Sequence, residues 1–367
     1  MRVLICPDSF KGTLTAAQAA EAIAAGWGSA RPEDVLESCP LSDGGDGLLE
    51  VVAASGEWRH ERGRAEDPLR RPVEVAWLRR GNTVVVESAA ACGLHLVDEA
   101  ERDPAGASTF GVGQLLRLAR QGGVEAVHVG LGGSATVDGG IGMLAALGAD
   151  LVDADGAPVG AAGAPDLARI ARAAPGRARD WFDLDLVVVS DVTTTLPDAA
   201  AVFGPQKGAT PQDVVRLTAG LTRFADAVEA GFDRPGLRQQ PGTGAAGGLG
   251  FALAALGARV VDGADHVAAM VGLEEAVAAA DLVVVGEGQL DATSLQGKVI
   301  GGVLARAVRH GVPVAAVVGR VAERSDGLVD VAEASPDGPG VDPVADVRAA
   351  ARRLASGIRL DARSAGR

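Results

Sequence analysis

The stretch RVLICPDSFKGTLTAAQAAEAIAAG (residues 2–26) indicates the fold, because a short apolar strand is followed at once by an alanine-rich helix. We predict that this helix begins at Thr15, which has Gln18 at capping-box spacing, and ends at Gly26. The next segments, DVLESCP and DGLLEVVAAS, repeat the order of strand and helix. Such alternation is typical of a parallel α/β sheet.

The pattern changes near Trp58, where polar and apolar residues alternate around turn signals and predict antiparallel strands. Strand–helix alternation returns at Asp281 with DLVVVGEG and VPVAAVVG, followed by a helix that begins at Asp342-Pro343. We therefore predict one parallel α/β domain built from both chain ends, interrupted by an inserted mixed α/β domain. The predicted boundaries are residues 1–70 with 281–367 for the first domain and 71–280 for the insertion.

Composition favours a cytosolic enzyme that acts on small molecules. The net charge of −14 over 367 residues argues against nucleic acid or an anionic membrane as a partner. The three cysteines form no CxxC motif and predict no disulfide framework. Asp8 interrupts the early apolar run, so no signal peptide is expected, and no apolar segment approaches 18 residues.

Lysine is scarce in this chain: among 34 basic residues only Lys11, Lys207 and Lys298 are lysine, and each has a glycine beside it. A chance remainder of an arginine-rich composition would explain them. Alternatively, a compact ammonium group in a glycine-containing loop binds a phosphate in a way that a planar guanidinium does not. An acidic protein with an anionic substrate requires such local basic sites.

Acidic residues follow several of the predicted strands, at Asp8, Asp43, Asp191 and Glu287. Ligands of open parallel sheets bind beyond the carboxyl ends of strands. A single acid in this position usually forms a turn or caps a helix. Several such acids beside glycine loops also suit magnesium coordination or general base catalysis.

Three glycine-rich loops adjoin predicted helices: GLGGSATVDGGIG, PGTGAAGGLG and GEGQLDATSLQGK. Their backbone N–H groups are candidates to bind phosphate at a helix N-terminus, whereas tight packing or a turn is the alternative for each loop. Val299 follows Lys298, so there is no Walker A motif, and Asp291 replaces the third glycine of the dinucleotide fingerprint. Ser134 lacks a G-x-S-x-G context and is interpreted as a loop hydroxyl.

Six motifs occur in the order seen in one bacterial family: PDSFKGTLTA, PLSDGGDG, GLGGSATVDGGIGMLAALGA, FGPQKGA, PGTGAAGGLG and GEGQLDATSLQGK. From residue 3 to about 320 the chain resembles the glycerate kinases of the type-1 family. The resemblance implies ATP-dependent phosphorylation of D-glycerate, mostly on the 2-hydroxyl, with Mg²⁺. It also implies a flavodoxin-like domain split around a second α/β domain, with the active site in the cleft between them.

The chain departs from the family pattern at three positions. Thr194 and Thr195 stand where the family usually has Asn and Pro, and Val137 stands where it often has Asn. If the Asn that the family has at the position of Thr194 binds nucleotide or substrate, the threonine hydroxyl must take its place in this chain. These departures bear on substrate preference more than on the class of reaction.

The resemblance and the strand-end positions together give a set of candidate roles. Asp191 is the first candidate for the base and Asp291 the second, with Lys11 as a catalytic cation. Candidates for magnesium are Asp43, Asp46 and Glu287. Candidates for binding substrate or phosphate are Asp8, Ser9, Lys207, Lys298, Gly132, Gly133, Ser134, Gly244, Gly247, Gly248, Gly286 and Gly288.

Alternatives remain open at this point. A kinase of a related small hydroxy acid would carry the same motifs. A nicotinamide-dependent oxidoreductase would use the strand–glycine–helix turns, although the missing third glycine counts against it. A two-lobed solute-binding protein would need an export signal. The expected partners are glycerate and ATP, and a homodimer is a candidate assembly.

Overall fold

The computed structural model describes residues 1–291, 294, 299–322, 327–335 and 342–359. Its strands, in chain order, are β1 (Arg2–Pro7), β2 (Val35–Ser38), β3 (Arg59–Glu66), β4 (Pro72–Arg80), β5 (Thr83–Glu87), β6 (Ala126–Gly130), β7 (Asp150–Val152), β8 (Arg172–Ala174), β9 (Asp185–Val189), β10 (Arg259–Val261), β11 (Leu282–Leu290), β12 (Val314–Val321) and β13 (Asp330–Glu333). Its α-helices are α1 (Ala16–Ala30), α2 (Leu48–Ala54), α3 (Ala89–Cys92), α4 (Phe110–Ala119), α5 (Ile141–Leu147), α6 (Ala199–Phe203), α7 (Pro211–Gly231), α8 (Ala245–Ala255), α9 (Gly263–Met270), α10 (Leu273–Ala278), α11 (Val299–His310) and α12 (Pro343–Gly357).

The chain forms two compact units, each made of more than one segment. The first unit comprises Met1–Asp43, Glu50–Gly56 and Gly263–Arg367, and the second comprises Gly44–Leu49 and Glu57–Asp262. The domain boundaries predicted from the sequence, and the cleft expected between the domains, stay predictions.

The first unit contains a five-stranded sheet in the order β13-β12-β11-β1-β2, and all of its neighbouring strands are parallel. Counted within the unit, this is the order 2-1-3-4-5 of flavodoxin-like sheets. After β1 the chain adds β2 on one side of it. The later strands β11, β12 and β13 are added successively on the other side of β1. The sheet therefore has a topological switch point between β1 and β11, where such folds bind their ligands.

Both faces of this sheet are covered, which explains why its strands read as continuous apolar runs. In β1, Val3 and Ile5 belong to a core shared with α1 and α12. The alternate residues, Leu4 and Cys6, belong to a separate core shared with α9, α10 and α11. The period of two in a strand thus distributes consecutive apolar side chains to opposite layers.

The second unit contains a six-stranded mixed sheet in the order β10-β9-β6-β5-β4-β3. Strands β10, β9, β6 and β5 are parallel, while β4 and β3 extend the sheet as an antiparallel hairpin. This confirms the antiparallel strands predicted after Trp58. Helices α4, α5, α7 and α8 contribute to one continuous apolar core on this sheet, and β7 and β8 form a separate antiparallel pair.

Helix α1 begins as predicted but ends later. Thr15 accepts a hydrogen bond from Gln18 N, and the Gln18 side chain accepts one from Thr15 N, which completes the capping box. The prediction that Gly26 ends the helix was wrong, since the helix continues to Ala30. Gly26 instead allows close packing: a Cβ at this position would lie 2.2 Å from the carbonyl oxygen of Arg348 in α12.

Replacement of Gly26 by alanine is therefore expected to destabilise the protein by about 1–3 kcal/mol, because the contact with α12 leaves no room for a methyl group. Gly28, in the same helix, provides the matched control. A Cβ there would meet nothing closer than Leu36 Cδ1 at 3.6 Å. Gly28→Ala should therefore stabilise the protein by about 0.5–1 kcal/mol. Urea unfolding midpoints of both variants test the opposite signs, and equal signs would contradict the packing argument.

Candidate active site

A cavity of about 470 Å³ lies in the first unit at the switch point of its sheet. It is lined by residues at or beyond the carboxyl ends of β1, β11, β12 and β13. The charged residues that line it are Asp8, Lys11, Asp43, Glu287, Asp291 and Arg320. Ser9 and Gly288 also line it, and its apolar wall includes Val299, Ile300 and Val347. The fold thus gathers several acids with a lysine and an arginine in one concave site.

Asp8 and Asp43 influence each other in this cavity. Burial raises the pKa of Asp8 to about 6, and the charge of Asp43 raises it in the same direction. Hydrogen bonding from Ser9, whose amide N lies 2.6 Å from Asp8 Oδ1, and the charge of Lys11 lower it. Two carboxyl groups that repel each other beside a lysine form a site that a cation or a proton stabilises.

Lys11 lies on a tight turn directly after β1. Phe10 and Leu14 form an isolated β-bridge across the turn, with Phe10 N 2.9 Å from Leu14 O. Phe10 is buried, whereas Lys11 is exposed. The turn is thus anchored by its flanking apolar residues, which leaves the lysine side chain available to an anion.

The motif GEGQLD does not form a loop after a strand. Gly286, Glu287 and Gly288 all lie within β11, which extends to Leu290. Gly286 is buried between strands, while Gly288 lies in contact distance of the Lys11 turn, because a Cβ there would be 3.5 Å from Lys11 N.

Asp291 follows β11 and is held by Ser294, since Asp291 N donates to Ser294 Oγ and Ser294 N donates to Asp291 Oδ1. Lys298 lies outside the described residues.

In the second unit, the GGDG part of the motif PLSDGGDG (residues 44–47) packs directly against the motif GLGGSAT. A Cβ on Gly132 would lie 2.7 Å from Gly45 Cα, and a Cβ on Gly133 would lie 2.5 Å from Asp46 Oδ1. Gly130, the last residue of β6, would similarly meet the carbonyl oxygen of Gly44 at 2.8 Å. These glycines therefore allow two loop backbones to approach closely at the carboxyl end of the sheet.

The third glycine motif, PGTGAAGGLG, packs in the same way. A Cβ on Gly247 would lie 2.1 Å from Thr136 O, and one on Gly248 would lie 2.7 Å from Gly139 Cα. A Cβ on Gly244 would lie 2.4 Å from the carbonyl oxygen of Thr195. Gly247 and Gly248 also have positive φ values, of 68° and 94°, that side chains rarely adopt. Packing and conformation thus account for these glycines, and their predicted contact with phosphate stays a prediction.

Lys207 is buried in the second unit, with a relative exposure of 3%. Its Nζ donates hydrogen bonds of 2.8 Å to both Ser134 Oγ and Thr136 O. The lysine thereby fixes the loop that carries Gly132, Gly133 and Ser134. Desolvation lowers the pKa of Lys207 to about 8, although the nearby Cys92 and Asp138 act in the opposite direction.

The buried lysine should make stability depend on pH in a defined direction. An unfolded lysine has a pKa of about 10.4, so between pH 8 and this value the unfolded chain binds a proton that the folded chain has released. The free energy of unfolding should rise across this window by up to about 3 kcal/mol. Lys207→Met should lose this rise. Urea unfolding of both proteins at pH 7.5, 9 and 10 tests it, and equal slopes would assign the rise to another group.

Asp191 lies two residues beyond the end of β9 and is exposed. The intervening Ser190 turns the chain, with Val192 N 3.2 Å from Ser190 Oγ. Strand β9 lies between β6 and β10. Asp191 is therefore on the same carboxyl edge of the second sheet as the GLGG loop that follows β6.

The departures from the family pattern lie near these loops. Val137 is fully buried in the core of the second unit. Thr194 O accepts a hydrogen bond of 2.9 Å from Gly244 N. Thr195 Oγ1 lies 3.3 Å from Asp198 Oδ2.

Sequence reasoning missed two residues that the geometry brings into the candidate sites. Arg320 follows the predicted strand VPVAAVVG and lines the cavity of the first unit. Glu87 ends β5, and its carboxylate accepts a hydrogen bond of 2.9 Å from Leu49 N in the segment after PLSDGGDG. The signal that singled out Asp191, an acid at the end of a strand, is also present at Glu87, whereas Glu287, chosen for the same reason, lies inside β11.

No three His, Cys, Asp or Glu side chains among the described residues lie together as a metal-ion site would require. No helix in the same residues combines the length and apolar character needed to cross a membrane.

Comparison with known proteins relates the whole chain to one family. The sequence model described as "Glycerate kinase family" matches residues 3–356. A glycerate kinase of Bacillus subtilis is 38% identical over 335 residues, covering 89% of this chain and 87% of the relative. A glycerate 2-kinase of Escherichia coli is 36% identical over 329 residues, covering 88% and 86%.

A solved structure supports the same relationship. The crystal structure of a protein from Salmonella typhimurium, described as a glycerate kinase 2, superposes with a TM-score of 0.85. It is 36% identical in sequence and covers 97% of each chain. The chain therefore belongs to the glycerate kinase family and is a kinase.

Proposed function

We propose that this protein transfers the γ-phosphoryl group of ATP to the 2-hydroxyl of D-glycerate, giving ADP and 2-phosphoglycerate. Family membership supports glycerate as the substrate. The cavity at the switch point of the 2-1-3-4-5 sheet carries the proposal structurally, since it joins acidic and basic groups to an apolar wall.

We propose that the cavity of the first unit binds the nucleotide. Its apolar wall, formed by Val299, Ile300 and Val347, suits the adenine ring, while Lys11 and Arg320 supply positive charge for phosphate oxygens. A cavity of about 470 Å³ lies within the range of pockets that bind small molecules and cofactors. With 3% aromatic residues and no tyrosine in the chain, aliphatic contacts are the expected mode of adenine binding.

Magnesium fits this donor set. Kinase sites typically hold Mg²⁺ by one or two carboxylates together with substrate phosphates and water, so a group of three protein ligands is not required. Asp43 and Glu287 line the cavity, and the mutual repulsion of Asp8 and Asp43 is a charge arrangement that a divalent cation relieves. We propose Asp43 and Glu287 as its ligands in this cavity, and the motif PLSDGGDG makes Asp46 a further candidate. Bound Mg²⁺ would neutralise phosphate charge during transfer.

We propose that Asp191 accepts the proton of the glycerate 2-hydroxyl as its oxygen bonds to the γ-phosphorus and the bond from phosphorus to the ADP oxygen breaks. Asp291 is the second candidate for this role. Lys11 stabilises the charge on the transferred group. Phosphate or carboxylate binding by Ser9, Lys207, Lys298 and the glycine loops belongs to the same proposal.

The finer assignments rest on the six sequence motifs. We propose that the protein is of the type-1 subgroup and acts in the cytoplasm on free glycerate, without nucleic acid or membrane partners. Assembly as a homodimer stays a prediction.

An assay of ADP release with D-glycerate, L-glycerate, hydroxypyruvate and related hydroxy acids tests the proposed function. We expect Mg²⁺-dependent ADP release with D-glycerate above all others, and a ³¹P spectrum of the product that shows 2-phosphoglycerate. A preference for another hydroxy acid would refute the substrate, and 3-phosphoglycerate as the product would refute the proposed hydroxyl. Absence of ADP release with all of these acids would refute the kinase assignment.

A further inference from the structure

The segment Gly44–Leu49 belongs to the second unit, although the residues on both sides of it belong to the first. On one side this segment lies against Gly130, Gly132 and Gly133, as described above. The buried side chain of Leu48 also packs at Gly130, whereas Asp46 is exposed. A polar anchor on the backbone next to Leu48 would further restrict the orientation of Asp46.

Glu87 supplies such an anchor. Its Oε1 accepts a hydrogen bond of 2.9 Å from Leu49 N. Glu87 is the last residue of β5 and pairs in register with Gly130 of β6. This hydrogen bond thus joins the end of β5 to a backbone amide three residues after Asp46.

Glu87 is half-buried at the end of β5, so its hydrogen bond to Leu49 N is partly shielded from water. Burial raises the pKa of Glu87, and the charge of Asp46 acts in the same direction, while the backbone amides of Leu49, Gly47 and Leu48 lower it. The ordinary explanation is that Glu87 only satisfies the free amides at the start of α2. That explanation accounts for the Leu49 amide alone, whereas the same hydrogen bond also attaches the segment that follows Asp46 to a strand 38 residues further along the chain.

We propose that Glu87 is a positioning residue, which holds the backbone at Leu49 so that the Asp46 carboxylate stays beside Gly133 in an orientation suited to a divalent cation. The proposal rests on the proposed function, in which Asp46 is a candidate magnesium ligand. In this proposal Glu87 acts through the backbone at Leu49 and does not itself bind substrate or metal. Groups that orient metal ligands in this way commonly change metal affinity by about 10–100-fold when they are replaced.

The test compares Glu87→Gln with Glu125→Gln in the full-length enzyme. Glutamine keeps the size of the side chain but loses the charge and replaces one acceptor oxygen by a donor. Glu125 is an exposed glutamate directly before β6 and thus at the opposite end of the same sheet, which makes it a matched control. Glu87→Asp, which keeps the charge on a shorter side chain, is the second variant should the glutamine variant not fold.

Two readouts are measured on each protein. The first is amide hydrogen exchange of peptides spanning residues 44–52, which reports the anchor without catalysis. The second is the Mg²⁺ concentration that gives half-maximal ADP release with glycerate. In Glu87→Gln we expect faster exchange in this segment and a rise of about 10–100-fold in the Mg²⁺ requirement. We expect Glu87→Asp to change both in the same direction by less, and Glu125→Gln to change neither.

The outcomes separate this inference from the proposed function. If the wild-type enzyme transfers phosphate and Glu87→Gln has an unchanged Mg²⁺ requirement, the positioning role is wrong, even if the melting temperature falls. Unchanged exchange in residues 44–52 also overturns it. If the wild-type enzyme shows no Mg²⁺-dependent transfer, the proposed function is wrong, and unequal exchange in the two variants still establishes the anchor.

Discussion

Replacement of Asp191 by asparagine is expected to reduce kcat by about 10³-fold, since a positioned general base contributes about 10²–10⁴-fold. Affinity for ATP·Mg²⁺ should be unchanged, because the proposed role of Asp191 is to accept the proton of the glycerate hydroxyl. Single-turnover kinetics with saturating glycerate, together with calorimetric titration of ATP·Mg²⁺, measure the two quantities separately. The substitution should not destabilise the fold, since Asp191 is exposed beyond the end of β9.

Asp185 provides the control for this experiment. It is the first residue of β9 and so lies at the opposite end of this strand. There it forms an ion pair with Arg259, and its side chain is 55% exposed. Asp185→Asn should therefore leave turnover unchanged. Loss of nucleotide affinity in Asp191→Asn would point to a metal-binding role instead of a base. Near-normal turnover would rule out both roles and leave Asp291 as the candidate.

The second large effect is expected at Lys11. Replacement by methionine should lower kcat by about 10²–10³-fold, the size of effect found when one group that stabilises transition-state charge is removed. The protein should stay folded, because Lys11 is exposed and the turn around it is anchored by buried Phe10 and Leu14. Steady-state kinetics and thermal unfolding of the same preparation check both statements.

Two further variants make the Lys11 experiment specific. Lys11→Arg keeps the charge but changes its shape, so it should recover part of the lost turnover and not all of it. Arg64→Met removes one positive charge from an exposed position of β3 and should have no effect. A Lys11→Met enzyme that turns over at nearly the wild-type rate would show that its charge plays no part in transfer.

The alternation of strands and helices could be predicted because it depends on local patterns. The capping box at Thr15, the helix start at Asp342 and the antiparallel strands after Trp58 all follow from spacing and residue type alone, and the structure confirms each. The acids at strand ends could be found in the same way. The carboxyl ends of parallel strands lie at the same end of the sheet. Residues that follow such strands in the sequence are therefore expected to lie near one another.

Other features could not be predicted because they depend on contacts between distant segments. Glycine commonly ends a helix, so the sequence around Gly26 predicts a helix end there. Only the close contact with α12 explains why Gly26 lies inside the helix. Lys207 has the local sequence of an exposed phosphate-binding loop, yet the fold buries its ammonium against Ser134 and Thr136. Glu87 looks like any glutamate at a strand end until the segment after Asp46 is placed beside it.

The pairing of β1 with β11 has a consequence for how the protein is made. Val3 lies in register with Leu282, so the centre of the first sheet joins segments that are separated by nearly the whole chain. A nascent chain leaves the ribosome from its N-terminus, and β1 must stay without this partner strand until residue 282 has been synthesised. The strands of the second sheet are by then all available. We therefore expect the interior of the sequence to fold before its two ends do, with closure of the first sheet as the slow, high-contact-order step.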